Sequence, residues 1–294
     1  RVAAGGPADV DKAVAAAKAA LPGWKRVGGA ARGRFLNAIA AKLRERAEEL
    51  GTLSSRNNGK PLAEARVDMA DAAASFEYYA GKAVELEARQ NSEVSVPDSN
   101  YRSQLRLEPA GVAALIVPWN FPIGMIAKKL SAALAAGCAS IIKPASKTPL
   151  TMIALFALLE REVQLPAGWA NLVPGSASAI ADALLMHPDV AVISFTGSTE
   201  VGKELIIKSA AQVKRVALEL GGNAPYIVFA DADMDKAVDQ LMANKFRGSG
   251  QTCVCANRIL VERSIAAEFS RRLAIRVNAL RLGNGLDDAT DIGP

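Results

Sequence analysis

Between Gly111 and Glu262, short apolar runs alternate with longer helical stretches, and polar turns separate them. The runs are "GVAALIV", "CASIIK", "WANLV", "VAVISF", "VKRVALEL", "APYIVF" and "NRILVE". Each has the length of a strand rather than a helix, and most offer no polar face to water. The stretches between them, such as "TPLTMIALFALLERE" and "DMDKAVDQLMANKF", carry apolar residues at helical spacing. Strands without a wet face need cover on both sides. The pattern therefore predicts an α/β fold, a parallel sheet with helices on both faces. At 294 residues the chain is long enough to bury such a core.

The region before Gly111 reads differently. "PADVDKAVAAAKAAL" opens on a proline and acids, as helices do, and "RGRFLNAIAAKLRERAEEL" aligns Phe35, Leu36, Ile39, Leu43 and Leu50 on one face. After "YYAGKAVELEARQ" comes "SEVSVPDSNYRSQLRLEP", whose alternation around Pro-Asp-Ser-Asn predicts a protruding β-hairpin. Such a hairpin is either a subunit-contact arm or an ordinary surface hairpin. No apolar run reaches the roughly 18 residues of a membrane span, and the first residues lack a secretory pattern. The net charge of +5 is scattered and only 5% of residues are aromatic, which argues against a nucleic-acid partner and suits an anionic cofactor or substrate. Three cysteines in a chain this long form no disulfide framework and favour a reducing cytoplasm.

In open parallel sheets, ligands bind beyond the carboxyl ends of the strands. Four polar turns fall there: "PWNFP" (118–122), "KPASKTP" (143–149), "FTGSTEVG" (195–202) and "ELGGN" (219–223). In "FTGSTEVG", Gly197 permits close backbone approach, and the free N–H groups near Ser198 and Thr199 can hold a phosphate or simply cap a helix. "KPASKTP" sets Lys143 at a strand end with neutral Ser146 nearby. This pair tolerates a ribose 2′-phosphate that a carboxylate would repel, unless Lys143 is merely a solvated lysine. Asn120 can donate its amide to an oxyanion or form an Asx turn. Glu219, before paired glycines, is a general base or a surface acid.

"GQTCVC" precedes the last strand, with Gly248 and Gly250 keeping bulk away from Cys253. A thiol of ordinary pKa, about 8.5, needs a base or a positive environment to react near neutrality. Arg247 and Glu219 are candidates for these roles. Strand alternation would put Cys253 and Cys255 on one side, where i and i+2 thiols are too far apart for an easy disulfide. His187 is the only histidine and precedes Pro188, so it reads as a loop residue. A Cys/His zinc site would need all of Cys138, Cys253, Cys255 and His187, and no metal is expected.

These motifs occur together in the order and spacing of the NAD(P)-dependent aldehyde dehydrogenase superfamily, which the chain resembles along essentially its whole length. The resemblance implies a Rossmann-type cofactor sheet in residues 1–91 and 108–221, an oligomerisation hairpin in 92–107, and the start of a second α/β catalytic domain in 222–294. It implies that Cys253 is the nucleophile, that Asn120 and the Cys253 N–H hold the oxyanion, and that Glu219 is the base. Pro118, Trp119, Lys143, Ser146, Gly175, Gly197, Ser198, Val201 and Leu220 match cofactor positions, for NADP slightly over NAD. "KFRGSGQTCVCANR" is most like the succinate-semialdehyde dehydrogenase branch. There the arginine matching Arg247 binds the substrate carboxylate, and the thiol matching Cys255 is a redox partner. A second arginine of that branch is replaced by Lys128, a point charge in place of a bidentate fork, so glutarate semialdehyde fits as well. The implied partners are a small aldehyde and further copies of the chain in a homo-dimer or homo-tetramer. Family members continue past "DIGP" with a nicotinamide-ribose turn and a C-terminal assembly strand, so the chain reads as an incomplete member, expected to bind cofactor poorly. Two other readings are a cysteine-dependent esterase or acyl-transferase, which would need no dinucleotide, and an inactive fragment.

Overall fold

The computed structural model describes residues 2–89 and 91–294. Arg1 and Gln90, which the expected segment 1–91 includes, lie outside the described residues. The helical N-terminal part comprises α1 (Pro7–Arg26), α2 (Gly29–Glu45), α3 (Ala47–Asn58) and α4 (Leu62–Ala88). β1 (Asn91–Val94) and β2 (Ser103–Arg106) then pair antiparallel as the expected hairpin. The alternating region follows as β3 (Val112–Ile116), α5 (Pro122–Ala135), β4 (Ala139–Lys143), α6 (Leu150–Arg161) and β5 (Ala170–Leu172). It continues through α7 (Ala177–Met186), β6 (Val190–Gly197), α8 (Thr199–Ala210) and β7 (Arg215–Leu220). A second unit holds β8 (Ala224–Val228), α9 (Met234–Lys245), β9 (Ala256–Val261) and α10 (Ala266–Asn278).

The main sheet has the order β5-β4-β3-β6-β7, and all its pairings are parallel. Period-two alternation decides which helices cover which face. Ala113, Leu115 and Val117 enter one core with residues of α2, α4, α5 and α6. Val112 and Ala114 enter a separate core with residues of α1 and α7. A third, smaller core lies beneath β8 and β9, where Val228 and Ala256 meet Val238, Leu241 and Phe269. No helix among the described residues is long and apolar enough to cross a membrane.

From β3 the chain winds outward through β4 to β5, then returns to lay β6 on the other side of β3. The strand order therefore reverses between β3 and β6, and a crevice opens beyond the carboxyl ends of those two strands. The turns after β3 and β6 are "PWNFP" and "GSTE", so topology brings together segments about 80 residues apart in the chain.

One local expectation is corrected. Cys253 and Cys255 do not alternate along a strand: β9 begins at Ala256, and residues 252–255 form a turn closed by the Cys255 N–H donating to Thr252 O at 3.2 Å. The preceding loop explains this. Gly248, Ser249 and Gly250 all have positive φ, a left-handed run that no strand accommodates, and Ser249 holds it without a glycine's freedom.

Candidate active site

The crevice at the strand reversal is a cleft of about 320 Å³. Pro118, Trp119 and Asn120 line it from the turn after β3, Gly197 and Ser198 from the end of β6, Leu220 from β7, and Cys253 and Cys255 from the turn before β9. Ser198 caps α8, its Oγ accepting from the Val201 N–H at 3.3 Å. A Cβ on Gly197 would meet the Phe195 ring at 2.3 Å, so any larger residue here must displace that ring. A second cleft of about 300 Å³ lies beyond β4 and β5, lined by Pro144, Ser146, Pro174, Gly175 and residues 2–4. Lys143 lies beneath it. It is only 2% exposed, so the solvated reading of this lysine is excluded. Its Nζ donates to Pro144 O at 2.6 Å and Ser146 Oγ at 3.3 Å, and the Ser146 hydroxyl donates to Gly175 O at 2.9 Å. Burial lowers the Lys143 pKa, and no carboxylate pairs with it among the described residues. Val201 sits in the first turn of α8, exposed and outside both clefts.

On the other side of Cys253 is a larger cavity of about 470 Å³. Its charged lining comprises Lys128, Lys129, Glu219, Arg247, Asp68 and Asp71. Cys253 thus lines both spaces, together with Phe121, Met125, Thr196 and Thr252. The three cysteines are free thiols. Cys255 is buried, and its Sγ donates to Gly250 O at 3.3 Å. Asn120 Nδ2 donates to Gln251 O at 2.7 Å, which ties the turn after β3 to the loop that carries Cys253. Its Oδ1 is buried without a hydrogen-bond partner among the described residues. His187 is a loop residue at the end of α7, its Nδ1 accepting from the Asp189 N–H. No cluster of metal-ligating side chains occurs among the described residues.

The cations of the larger cavity are unlike one another. Arg247 is already engaged: its Nη2 lies 3.4 Å from Asp68 and 3.6 Å from Asp71, and the guanidinium stacks 5.0 Å from the Phe121 ring centre. Lys128 is exposed and makes no ion pair among the described residues. Lys129, which the sequence reading passed over, donates to Ser194 Oγ at 2.8 Å. Burial pushes its pKa down to about 8, with the Glu219 charge opposing the shift.

That shift has a measurable consequence. Because the folded-state pKa lies below the ordinary value near 10.4, the charged lysine penalises the fold below pH 8, and the penalty fades as pH rises through this interval. The difference in unfolding free energy between Lys129→Met and the wild type should narrow by roughly 2 to 3 kcal/mol between pH 7 and about 10.5. Urea midpoints at the two pH values check this, and a gap that stays constant would refute it.

Sequence reasoning also missed Lys60, Glu64 and Asp68. Lys60 and Asp68 are each 2% exposed and paired, Nζ to Oδ2, at 2.5 Å. One signal was available. Asp68 falls at helical spacing among Ala65, Met69 and Ala72 on the buried face of α4, and a carboxylate there requires a partner.

Comparison with known proteins bears on the family and the fold. The model of the aldehyde dehydrogenase family matches residues 1–294. A 3-sulfolactaldehyde dehydrogenase of Pseudomonas putida is 45% identical over 289 residues, which is 98% of this chain and 59% of that protein. An NADP(+) succinate-semialdehyde dehydrogenase of Escherichia coli is 43% identical over 282 residues, 96% of this chain and 58% of its own length. Among solved structures, a betaine aldehyde dehydrogenase from Staphylococcus aureus in complex with NAD+ superposes with a TM-score of 0.96 at 39% identity. That match covers 100% of this chain and 58% of the other. The chain therefore spans somewhat under three fifths of the length of these relatives.

Proposed function

The chain belongs to the aldehyde dehydrogenase family, and on that premise we propose that it serves the oxidation of a short, charged aldehyde to the acid, with NADP or NAD as acceptor. The observation that carries this reading is the position of Cys253, on the wall between two spaces. One space is lined by backbone turns and the N-terminus of α8, the other by charged side chains. A reaction that brings a dinucleotide and a polar aldehyde to one thiol needs this arrangement.

In this reading Glu219 takes the Cys253 proton, and the thiolate forms a bond to the aldehyde carbon. Asn120 Nδ2 keeps one N–H beyond the bond to Gln251 O. Together with the Cys253 backbone N–H, it holds the oxyanion of the thiohemiacetal. The bound dinucleotide supplies the hydride acceptor. Glu219 then releases that proton to solvent and, as the carboxylate again, deprotonates a water that attacks the thioester carbonyl. The carbon–sulfur bond breaks, and the acid leaves with the thiol restored.

The residues present fit the dinucleotide. Gly197 and Ser198, the N-cap of α8, line the cleft that Trp119 and Leu220 flank, where a helix N-terminus suits a phosphate. Lys143 supplies a positive charge without a counter-ion among the described residues, behind Ser146 and Gly175, which favours NADP. We assign residues 1–91 and 108–221 to the cofactor-binding domain, 92–107 to an assembly arm of a dimer or tetramer, and 222–294 to the start of the catalytic domain. The free thiols suit a reducing cytoplasm.

For the substrate, exposed Lys128 and the Arg247 guanidinium favour a distal carboxylate, as in succinate or glutarate semialdehyde. A second reading rests on Asp71, whose side chain is 59% exposed beside an Arg247 already shared with Asp68, and which suits a cationic aldehyde. Initial rates of reduced-cofactor formation with succinate semialdehyde and with an aminoaldehyde of equal length separate the two. We expect kcat/KM to favour the carboxylate by at least about 10-fold, a difference of about 1.4 kcal/mol in transition-state binding. The opposite ranking selects the cationic substrate, and no cofactor reduction with either overturns the dehydrogenase reading.

A further inference from the structure

The corner between α3 and α4 contacts the candidate active site without lining the cleft that holds Asn120. Asn58 Nδ2 donates to Trp119 O at 2.8 Å, and Lys60 Nζ donates to Asn120 O at 3.0 Å. Two consecutive carbonyls of the turn after β3 are thus drawn toward this corner. The backbone fixed in this way leaves the Asn120 side chain directed at Gln251 O. Lys60 is buried, with its ammonium 4.2 Å from the centre of the Phe121 ring.

The counter-ion of Lys60 links this turn to the loop before Cys253. Asp68 uses Oδ2 for Lys60 and Oδ1 for Arg247, at 2.5 and 3.4 Å. One turn earlier on α4, Glu64 accepts from the Gly248 N–H at 2.9 Å. Residues 248–250 form the left-handed run, which has little intrinsic preference for this shape and needs outside contacts to keep it. One face of α4 therefore holds the loop that carries Cys253 directly and the turn that carries Asn120 through Lys60.

We propose that the buried Lys60–Asp68 pair, with Asn58, is a positioning device that holds Asn120 in register with the Cys253 loop. The inference rests on the functional reading above, in which these two residues hold one oxyanion. Lys60, Asp68 and Asn58 do not touch the reacting atoms in this scheme. A charged pair is suited to the task because burial makes the loss of either partner costly, so the geometry is specified as well as held.

The test is the double variant Lys60→Met/Asp68→Leu, which removes both charges and so avoids leaving one buried alone. Its kcat for aldehyde oxidation should fall on the order of 100-fold, as for the loss of an oxyanion donor, with cofactor KM changing less than about 3-fold. In an Asn120→Ala background the same double substitution should cost less than about 2-fold, because the pair acts through a side chain already removed. Full multiplicative loss in that background overturns the proposal, as does an unchanged kcat in the folded double variant. Asn58→Ala, on a more exposed hydrogen bond, covers the case in which the double variant does not fold. It should lower kcat about 5-fold, and an unchanged value also overturns the proposal.

Amide hydrogen exchange keeps the two readings distinguishable. The double variant, or Asn58→Ala in its place, should lose protection in residues 118–121 and 247–253 while the strands of the main sheet keep theirs. Unchanged exchange there refutes the positioning role. A wild-type chain that oxidises no aldehyde but shows the expected exchange refutes only the assigned reaction.

Discussion

Cys253→Ala should lose aldehyde-dependent formation of reduced cofactor by on the order of 10⁴-fold or more while the melting temperature stays near that of the wild type. The loss is large because no other group can take the covalent role. Cys255 is buried, with its Sγ on Gly250 O, and Cys138 is buried at the start of β4. The substitution itself is mild, since Cys253 sits half-buried in a turn and alanine leaves no unpaired polar group there. The same variant should resist alkylation at residue 253 by iodoacetamide. Retained cofactor reduction would remove Cys253 from the mechanism. Ester hydrolysis by a wild-type chain that reduces no cofactor, lost in Cys253→Ala, would instead favour the acyl-transfer reading.

Asn120→Ala should lower kcat by about 100- to 1000-fold with little change in aldehyde KM, the pattern of an interaction made mainly in the transition state. Two effects contribute. The N–H proposed to hold the oxyanion is lost, and so is the 2.7 Å bond to Gln251 O that joins the two sides of the site. Hydrolysis of p-nitrophenyl acetate uses the same oxyanion without a dinucleotide and should fall in parallel. A rise in KM at constant kcat would instead make Asn120 a ground-state contact.

The architecture was legible because its signals are local. Each strand and helix of the alternating region lies where the apolar runs and helical spacings predict it, and the hairpin strands fall within 91–106. The turns at the carboxyl ends were also readable, because glycine, proline and asparagine mark the ends of elements. Where alternation was carried one step too far, at Cys253 and Cys255, the left-handed run at 248–250 was the missing fact. Glycines permit such a run, but contacts with α4 decide that it forms, and those lie far away in the chain.

The sequence by itself determined the α/β class, the order of elements and the candidate residues for the proposed chemistry, since these follow from side-chain type and from periods of a few residues. Only the tertiary structure decided how those residues share their charges. It set Cys253 between two cavities, occupied Arg247 with Asp68 and Asp71, buried Lys143 beneath Ser146, and coupled Lys60 to Asn120 through the α3–α4 corner. Ion pairs, desolvation and close approach depend on distance in space. In this fold that distance is fixed by which strand lies beside which, and no local pattern in the chain carries it.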